Sequence, residues 1–245
     1  MIIKDNKKKL KVLAIIPARS GSKGIKNKNL VNLHGKPLIY WTIKEARKVN
    51  FIDEIIVSTD SKIIADEAKK YSIKVPFIRP KKLSSDTSNS IELILHALNW
   101  FEKNLIFYDI VILLEPTSPF RESQDIVNAV NLMISKNAQS VVGISKIKSD
   151  HPDFTYSKNK NYFIKPFFTE KPILSRRQDT KTLFFLEGSV YASYTDTLRK
   201  ELTFYHNKTV GFEFSKIKSI EIDDKEDLYI AEALMNYKER NKIEE

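Results

Sequence analysis

The chain alternates short apolar runs with stretches in which apolar residues recur every three or four positions. Val12–Pro17 is apolar throughout and reads as a buried strand. Pro37–Val49 has Leu38, Trp41, Ile43 and Ala46 at helical spacing. Glu54–Ser58 reads as a second strand ending at Thr59-Asp60, Ser61–Tyr71 as a helix, and Val75–Ile78 as a third, short strand. In the helix expected over Ser90–Lys103, Ile91, Ile94, Leu95, Leu98 and Phe101 share one face, and Ser88 or Ser90 is positioned to cap it. Ile110–Leu114 is continuously apolar, as a parallel strand buried on both faces should be. It stops at Glu115-Pro-Thr-Ser-Pro-Phe-Arg121, where prolines end strand and helix alike. A helix over Ser123–Lys136 and a strand over Ser140–Ser145 follow. This alternation predicts an α/β fold with a doubly wound, mainly parallel sheet.

The period is lost between Lys146 and about Glu187. That stretch is polar and aromatic, contains Pro152, Pro166 and Pro172, and has short β-like pieces at Phe154–Tyr156 and Tyr162–Phe168. A structureless loop of that length is improbable in a compact domain. Residues 146–187 therefore read as an excursion from the sheet. Its apolar residues Phe154, Tyr162, Phe163, Phe167 and Phe168 pack on a partner subunit, cover the site, or form a hairpin against their own domain. Strands return at Gly188–Ser193, Thr209–Glu213 and Ser219–Ile222, and Lys225–Tyr237 closes as a helix with Asp224 as its N-cap. The expectation is a single domain over 1–245, with a loose tail at residues 1–10.

Composition narrows the classes. The 245 residues are 42% hydrophobic and 29% charged, which suits a soluble globular chain. There is no cysteine, so disulfide scaffolds and thiolate metal sites are excluded and a cytoplasmic location fits. No stretch approaches the roughly 20 apolar residues of a membrane span, so no membrane partner is expected. The net charge of +10 is spread along the chain, whereas nucleic-acid binding favours clustered charge. The four histidines, His34, His96, His151 and His206, have no metal-ligand spacing.

Candidate chemistry lies in four places. The first is the loop after the opening strand, Ala18 to Asn29, with two glycines, one arginine, three lysines and two serines. Glycines let backbone N–H groups turn toward an anion, and the cations add point charges. Phosphates are therefore expected against Arg19, Ser22 and Lys23, although neither Gly-x-x-x-x-Gly-Lys-Ser/Thr nor Gly-x-Gly-x-x-Gly occurs there. The second is Ser219-Ile-Glu-Ile-Asp-Asp-Lys-Glu-Asp227. On a strand Glu221 and Asp223 would share a face, with Asp227 approaching from the next helix; such carboxylates suit Mg²⁺ completed by substrate phosphates. The third, Arg79 to Ser90, offers a guanidinium, hydroxyls and a helix N-terminus. The fourth pairs Ser175-Arg-Arg-Gln-Asp179 with Glu187-Gly-Ser-Val-Tyr191.

Taken in order, Ile16-Pro-Ala-Arg-Ser-Gly-Ser-Lys-Gly24, Lys28-Asn29, Ile56-Val-Ser-Thr-Asp60, Arg79-Pro80, Ser85-Asp-Thr-Ser88, Pro116-Thr-Ser-Pro-Phe-Arg121, Arg177-Gln178, Gly188-Ser-Val-Tyr191 and Ile220-Glu-Ile-Asp223 resemble the acylneuraminate cytidylyltransferases. These are the CMP-sialic acid synthetases and their relatives for other nonulosonic acids. The resemblance runs from about Lys11 to Tyr237. It implies a Rossmann-like fold of the nucleotide-diphospho-sugar transferase type, with the excursion dimerising the chain and closing the partner's sugar pocket. It implies the reaction of CTP with a 2-keto sugar acid to give CMP-sugar and pyrophosphate, with Mg²⁺, in a homodimer. By matching position, Arg19, Ser22, Lys23, Lys28 and Asn29 would hold the nucleotide, Arg79 and Ser90 its cytidine side. Glu115, Arg177 and Tyr191 would line the sugar pocket, and Glu221 and Asp223 would hold the metal. Arg19, Lys23 and Asp223 would carry the catalysis. The chain departs from the sialic acid enzymes at Glu115, where they have Gln, at Glu221, where they have Asp, and at Phe185-Leu-Glu187, where they have Arg-x-Asn. Glu115 and Glu187 both stand at expected sugar-side positions, which makes legionaminic-type or other diamino nonulosonic acids alternatives to N-acetylneuraminic acid. A ketodeoxyoctonate cytidylyltransferase and a catalytically inactive nucleotide-binding protein are the remaining alternatives.

Overall fold

The computed structural model describes residues 9–85, 88–147, 151–168 and 180–242. β1 (Val12–Pro17) opens the chain, followed by a tight hairpin of β2 (Asn32–Leu33) and β3 (Lys36–Pro37). Its turn is His34-Gly35, with φ of 52° and 75°, the left-handed pair that a two-residue hairpin requires. Then come α1 (Leu38–Ala46), β4 (Glu54–Ser58), α2 (Lys62–Lys70), α3 (Ser90–Lys103), β5 (Ile110–Leu113), α4 (Ser123–Ser135) and β6 (Ser140–Lys146). A hairpin of β7 (Tyr156–Lys158) and β8 (Ile164–Pro166) precedes β9 (Phe184–Tyr194), α5 (Thr195–Glu201), β10 (Thr209–Phe214) and α6 (Lys225–Lys242).

Six strands form one sheet in the order β10-β6-β9-β5-β1-β4. β4, β1 and β5 pair in parallel, as do β10 and β6, while β9 runs antiparallel between β5 and β6. Alternate residues of β1 feed opposite faces. Val12, Ala14 and Ile16 pack with Ile39 and Ile43 of α1, Ile64 of α2, and Ile126 and Met133 of α4. Leu13 and Ile15 pack with Ile91, Ile94, Leu98 and Phe101 of α3 and Leu198 of α5. Each fully buried Leu, Ile or Phe contributes roughly 1.5–3 kcal/mol, so both layers are firmly held. A third cluster joins Ile25, Leu33, Leu38, Phe120 and Ile222 to Ala231 and Met235 of α6. No helix among the described residues is long and apolar enough to cross a membrane.

Several expectations need correcting. Val75–Ile78 is not a strand; isolated bridges from Lys74 and Ile78 to Ile56 and Thr59 are all that forms, because Pro76 removes a donor. Ser219–Ile222 is not a strand either, being held by a bond from Ile222 N–H to Thr117 O at 2.8 Å. α3 is capped by neither Ser88 nor Ser90 but by Asn89, whose side chain accepts from Ile91 N–H. The β-like pieces of the excursion shift to Tyr156–Lys158 and Ile164–Pro166, and the strand expected at Gly188–Ser193 extends to eleven residues. α6 keeps Asp224 at its start: Asp227 N–H donates to Asp224 Oδ1 at 3.0 Å.

Candidate active site

Parallel strands whose carboxyl ends share one edge create a crevice there. β1, β4 and β5 do so, and the loops after them meet in a cavity of about 470 Å³. Its walls include Arg19, Ser22, Lys23, Lys28 and Asn29 from the first loop, Arg79 and Ser90 from the third constellation, and Glu115, Glu221 and Asp223.

The basic loop is shaped by partners at its base. Ser20 donates through N and Oγ to the two oxygens of Asp60, at 2.8 and 2.7 Å. Burial alone would raise the Asp60 pKa, but these bonds and the Arg79 charge outweigh it and hold the carboxyl below its usual value. Asn29 is buried and its Nδ2 donates to Arg19 O at 2.9 Å. A Cβ on Gly24 would collide with the carbonyl oxygen of Asp223, so only glycine lets the basic loop and the acidic segment come this close.

Ile222 is completely buried in the third cluster and bonded to Thr117, so its neighbours Glu221 and Asp223 both turn into the cavity. The common face expected of a strand thus arises without one. Lys28 Nζ lies 2.8 Å from Asp223 Oδ1. Asp227, expected to approach as a further carboxylate, instead completes a capping box. Its Oδ2 accepts from the N–H groups of Asp223 and Asp224 at 2.9 and 3.1 Å.

Arg79 is only 3% exposed, with its N–H on Thr59 O and its Nε on Ser84 Oγ. Its Nη1 has no hydrogen-bond partner among the described residues, although it belongs to a cavity wall. Burial pushes its pKa down, the Asp60 carboxylate opposing and Arg19 reinforcing. Glu115 sits at the foot of the cavity, where burial and then the Glu221 charge push its pKa up to about 7. Glu221 is raised too, by burial and by Asp223, against the Gly188 N–H that donates to it. A Cβ on Gly188 would lie 2.8 Å from Glu221 Oε1 and 3.3 Å from Glu115 Oε2, so the two carboxylates converge over a bare backbone.

A second cavity of about 340 Å³ shares Ser90 and Glu115 with the first. Its other walls are Asn89, Ile91, Leu113, Tyr191 and Leu202–Tyr205. Tyr191 packs on Phe204 at 5.4 Å between centroids. Burial first, with Tyr205 and Glu115, raises its pKa, so it remains a hydrogen-bond donor. Arg177 and its neighbours in Ser175–Asp179 lie outside the described residues. Glu187 is not at a cavity wall: it is 1% exposed and buried behind the site. Sequence reasoning missed Asp60, Arg121 and Leu202–Tyr205 as parts of the site. The first two lie in quoted motifs, while the last has no local signal.

A family model described as Cytidylyltransferase matches residues 13–243. The CMP-N,N'-diacetyllegionaminic acid synthase of Legionella pneumophila is 37% identical over 229 residues, covering 92% of this chain and 97% of that one. An N-acylneuraminate cytidylyltransferase of Streptococcus agalactiae is 33% identical over 220 residues, 89% of this chain; the match spans only 52% of that relative. Among solved structures, a CMP:2-keto-3-deoxy-manno-octonic acid synthetase complexed with CTP shares the fold, with a TM-score of 0.67 over 93% of this chain and 99% of that one, at 18% identity.

Proposed function

This chain belongs to the cytidylyltransferase family, and from that premise we propose that it activates a nonulosonic acid, converting CTP and the 2-keto sugar acid to CMP-sugar and pyrophosphate. The observation that carries the reading is the single cavity in which Arg19, Ser22, Lys23 and Lys28 face Glu221 and Asp223. The sugar's anomeric hydroxyl attacks the α-phosphorus in line. A new O–P bond forms, the bond from the α-phosphorus to the bridging oxygen breaks so that pyrophosphate leaves with that oxygen, and the hydroxyl proton passes to water. Arg19 and Lys23 offset the charge of the departing pyrophosphate. Arg79 and the Ser90 hydroxyl, both at the cavity wall, supply donors to the cytidine.

The acidic residues fit Mg²⁺. Glu115 and Glu221 are both pushed up by burial and by neighbouring negative charge, which a cation would relieve, and the Lys28 ammonium on Asp223 marks a place where positive charge is welcome. No group of three or more His, Cys, Asp or Glu among the described residues could hold an ion. Mg²⁺ binding needs no such group, since this ion takes one or two carboxylates and completes its shell with phosphates and water. Glu221 and Asp223 would hold it, and it would supply charge neutralisation at the phosphate oxygens.

The sugar occupies the second cavity, with Tyr191 along one wall. Glu115, at the junction, accepts from an acylamino or hydroxyl group. Relatives named for a CMP-linked diacetyllegionaminic acid and for N-acylneuraminate support this class, and a carboxylate beside the apolar Leu113, Leu202 and Phe204 favours the acylamino-rich legionaminic type. The enzyme works in the cytoplasm, where CTP is made, as a homodimer joined through the excursion. The test is pyrophosphate release from CTP and Mg²⁺ against legionaminic, N-acetylneuraminic and ketodeoxyoctonic acids. Release is expected with the first two, fastest with the diacetylated legionaminic acid. CTP binding with no release for any acid would overturn the reading in favour of a nucleotide-binding protein without turnover.

A further inference from the structure

Behind both cavities lie two buried side chains, one basic and one acidic, that neither cavity exposes. Arg121 ends the proline-bearing loop after β5 and is 2% exposed. Its Nη1 donates to Ser189 O at 2.6 Å and Glu115 O at 3.2 Å, and its Nη2 to Thr42 Oγ1 at 2.5 Å. None of these acceptors is charged, and Nε has no hydrogen-bond partner among the described residues. A buried guanidinium stays protonated and needs countercharge nearby. Glu187 is its leading source, ahead of Glu115, Asp125 and Glu45. Glu187 Oε2 accepts from the N–H and the hydroxyl of Ser189, while Oε1 has no hydrogen-bond partner among the described residues; burial pushes the carboxyl up to about 7, against these bonds and the Arg121 charge.

The register of the sheet explains why Glu187 stands there. β6 and β9 pair with Val142 opposite Tyr191 and then with Ile144 opposite Leu186. Gly143 alone therefore faces the four residues Glu187–Val190, a bulge of β9. A Cβ on Gly143 would collide with Glu187 Oε1, so the missing side chain is the notch that the carboxyl group fills. The bulge begins where β5 stops pairing, at Leu113 opposite Tyr191. It turns the Gly188 N–H to Glu221 and the Ser189 carbonyl to Arg121, which ties that carbonyl to the one of Glu115.

We propose that Glu187 and Arg121 are a positioning pair for the transfer. Through the bulge and the two carbonyls they set where Glu115 and Glu221 stand relative to the nucleotide loop. The kinetic part of this rests on the cytidylyl-transfer reading above.

Glu187→Gln keeps the volume and removes the charge; Gly143→Ala evicts the carboxyl group from its notch. Both should leave the Kd for CTP, read by calorimetry, within about twofold of wild type, because the nucleotide loop is anchored by Asp60 and Asn29, and Arg79 by Thr59 and Ser84, all outside the bulge. Both should raise the KM for the sugar acid and lower kcat, with kcat/KM falling about tenfold or more, as misplacement of reacting groups does. In the free protein, amide exchange of peptides covering 184–191 should accelerate while 12–17 stays protected. Unchanged kcat/KM in a folded variant, or CTP affinity falling in step with it, would reduce the pair to a general support of the fold and overturn the proposal. Should the wild type turn over no sugar acid, the reaction assignment fails by itself. Amide exchange then still decides: unaltered exchange at 184–191 in both variants overturns the pair, and selective acceleration supports it. If Glu187→Gln does not fold, Gly143→Ala carries the same readings.

Discussion

Gly24 and Gly188 do for this site what no larger residue could. Gly24 lets the basic loop lie against the Asp223 carbonyl, and Gly188 leaves room for Glu221 and Glu115 to converge. The resulting crowd of carboxylates is costly, which is why Glu115 and Glu221 both rise in pKa. Asp223 is the outermost of the three and pairs with Lys28. Asp223→Asn keeps the shape and removes the charge that would hold a cation beside the phosphates. Turnover should fall at least about a hundredfold, while CTP binding, carried by Arg19, Lys23 and Arg79, stays measurable by calorimetry. Pyrophosphate release at the wild-type rate would remove Asp223 from the chemistry.

At the scale of elements, the site is a matter of loops held by their neighbours. β4 leads into Asp60, two residues beyond its end, which anchors the loop that follows β1 through Ser20. α6 begins in a capping box that secures the backbone of Asp223 and Asp224, and its apolar face holds Ile222 down. The Asp60 pairing has a pH signature. Its pKa is depressed in the folded state, so its contribution is present above the ordinary aspartate value near 3.8 and is lost as pH falls through the lower folded value. Asp60→Asn should cost about 1 kcal/mol at pH 7, with a smaller difference from wild type near pH 3. Urea unfolding at the two pH values checks this, and an equal difference at both would show that the charge of Asp60 is not what holds the loop.

At the scale of the whole molecule, apolar side chains on and around the β7–β8 hairpin stand exposed. Phe163, Ile164, Phe167 and Phe168 are exposed, as are Phe184, Phe185 and Leu186 at the start of β9. Exposed apolar side chains in this number are a liability in a free monomer and an asset in an interface. Sedimentation should report a homodimer, and Phe167→Ser with Phe168→Ser should shift it toward monomer with little change in thermal stability at low concentration. A wild type that sediments as a monomer at micromolar concentration would refute the dimer.

Most of the fold was legible in local pattern. Val12–Pro17, Glu54–Ser58 and Ser90–Lys103 form with the bounds their hydrophobic spacing predicts, because burying a continuous run or one helical face leaves few alternatives. The basic loop and the acidic pair were equally readable, since clusters of like charge beside apolar residues declare themselves, and both line the first cavity. The errors came where long-range contacts outvote local preference. Val75–Ile78 has strand-like residues but no continuous ladder to join, and Ser219–Ile222 is pinned by Thr117 and α6 without a strand. Glu187, which its position in the sequence puts beside the sugar, is drawn behind the site by a bulge opposite Gly143. Residue order alone thus specified the layers, the strand ends and the chemistry available at them. Which of those groups share a cavity, and which are spent on holding it open, was decided by strand register and by close backbone approaches between segments as much as 200 positions apart. Neither is encoded in any one stretch of chain.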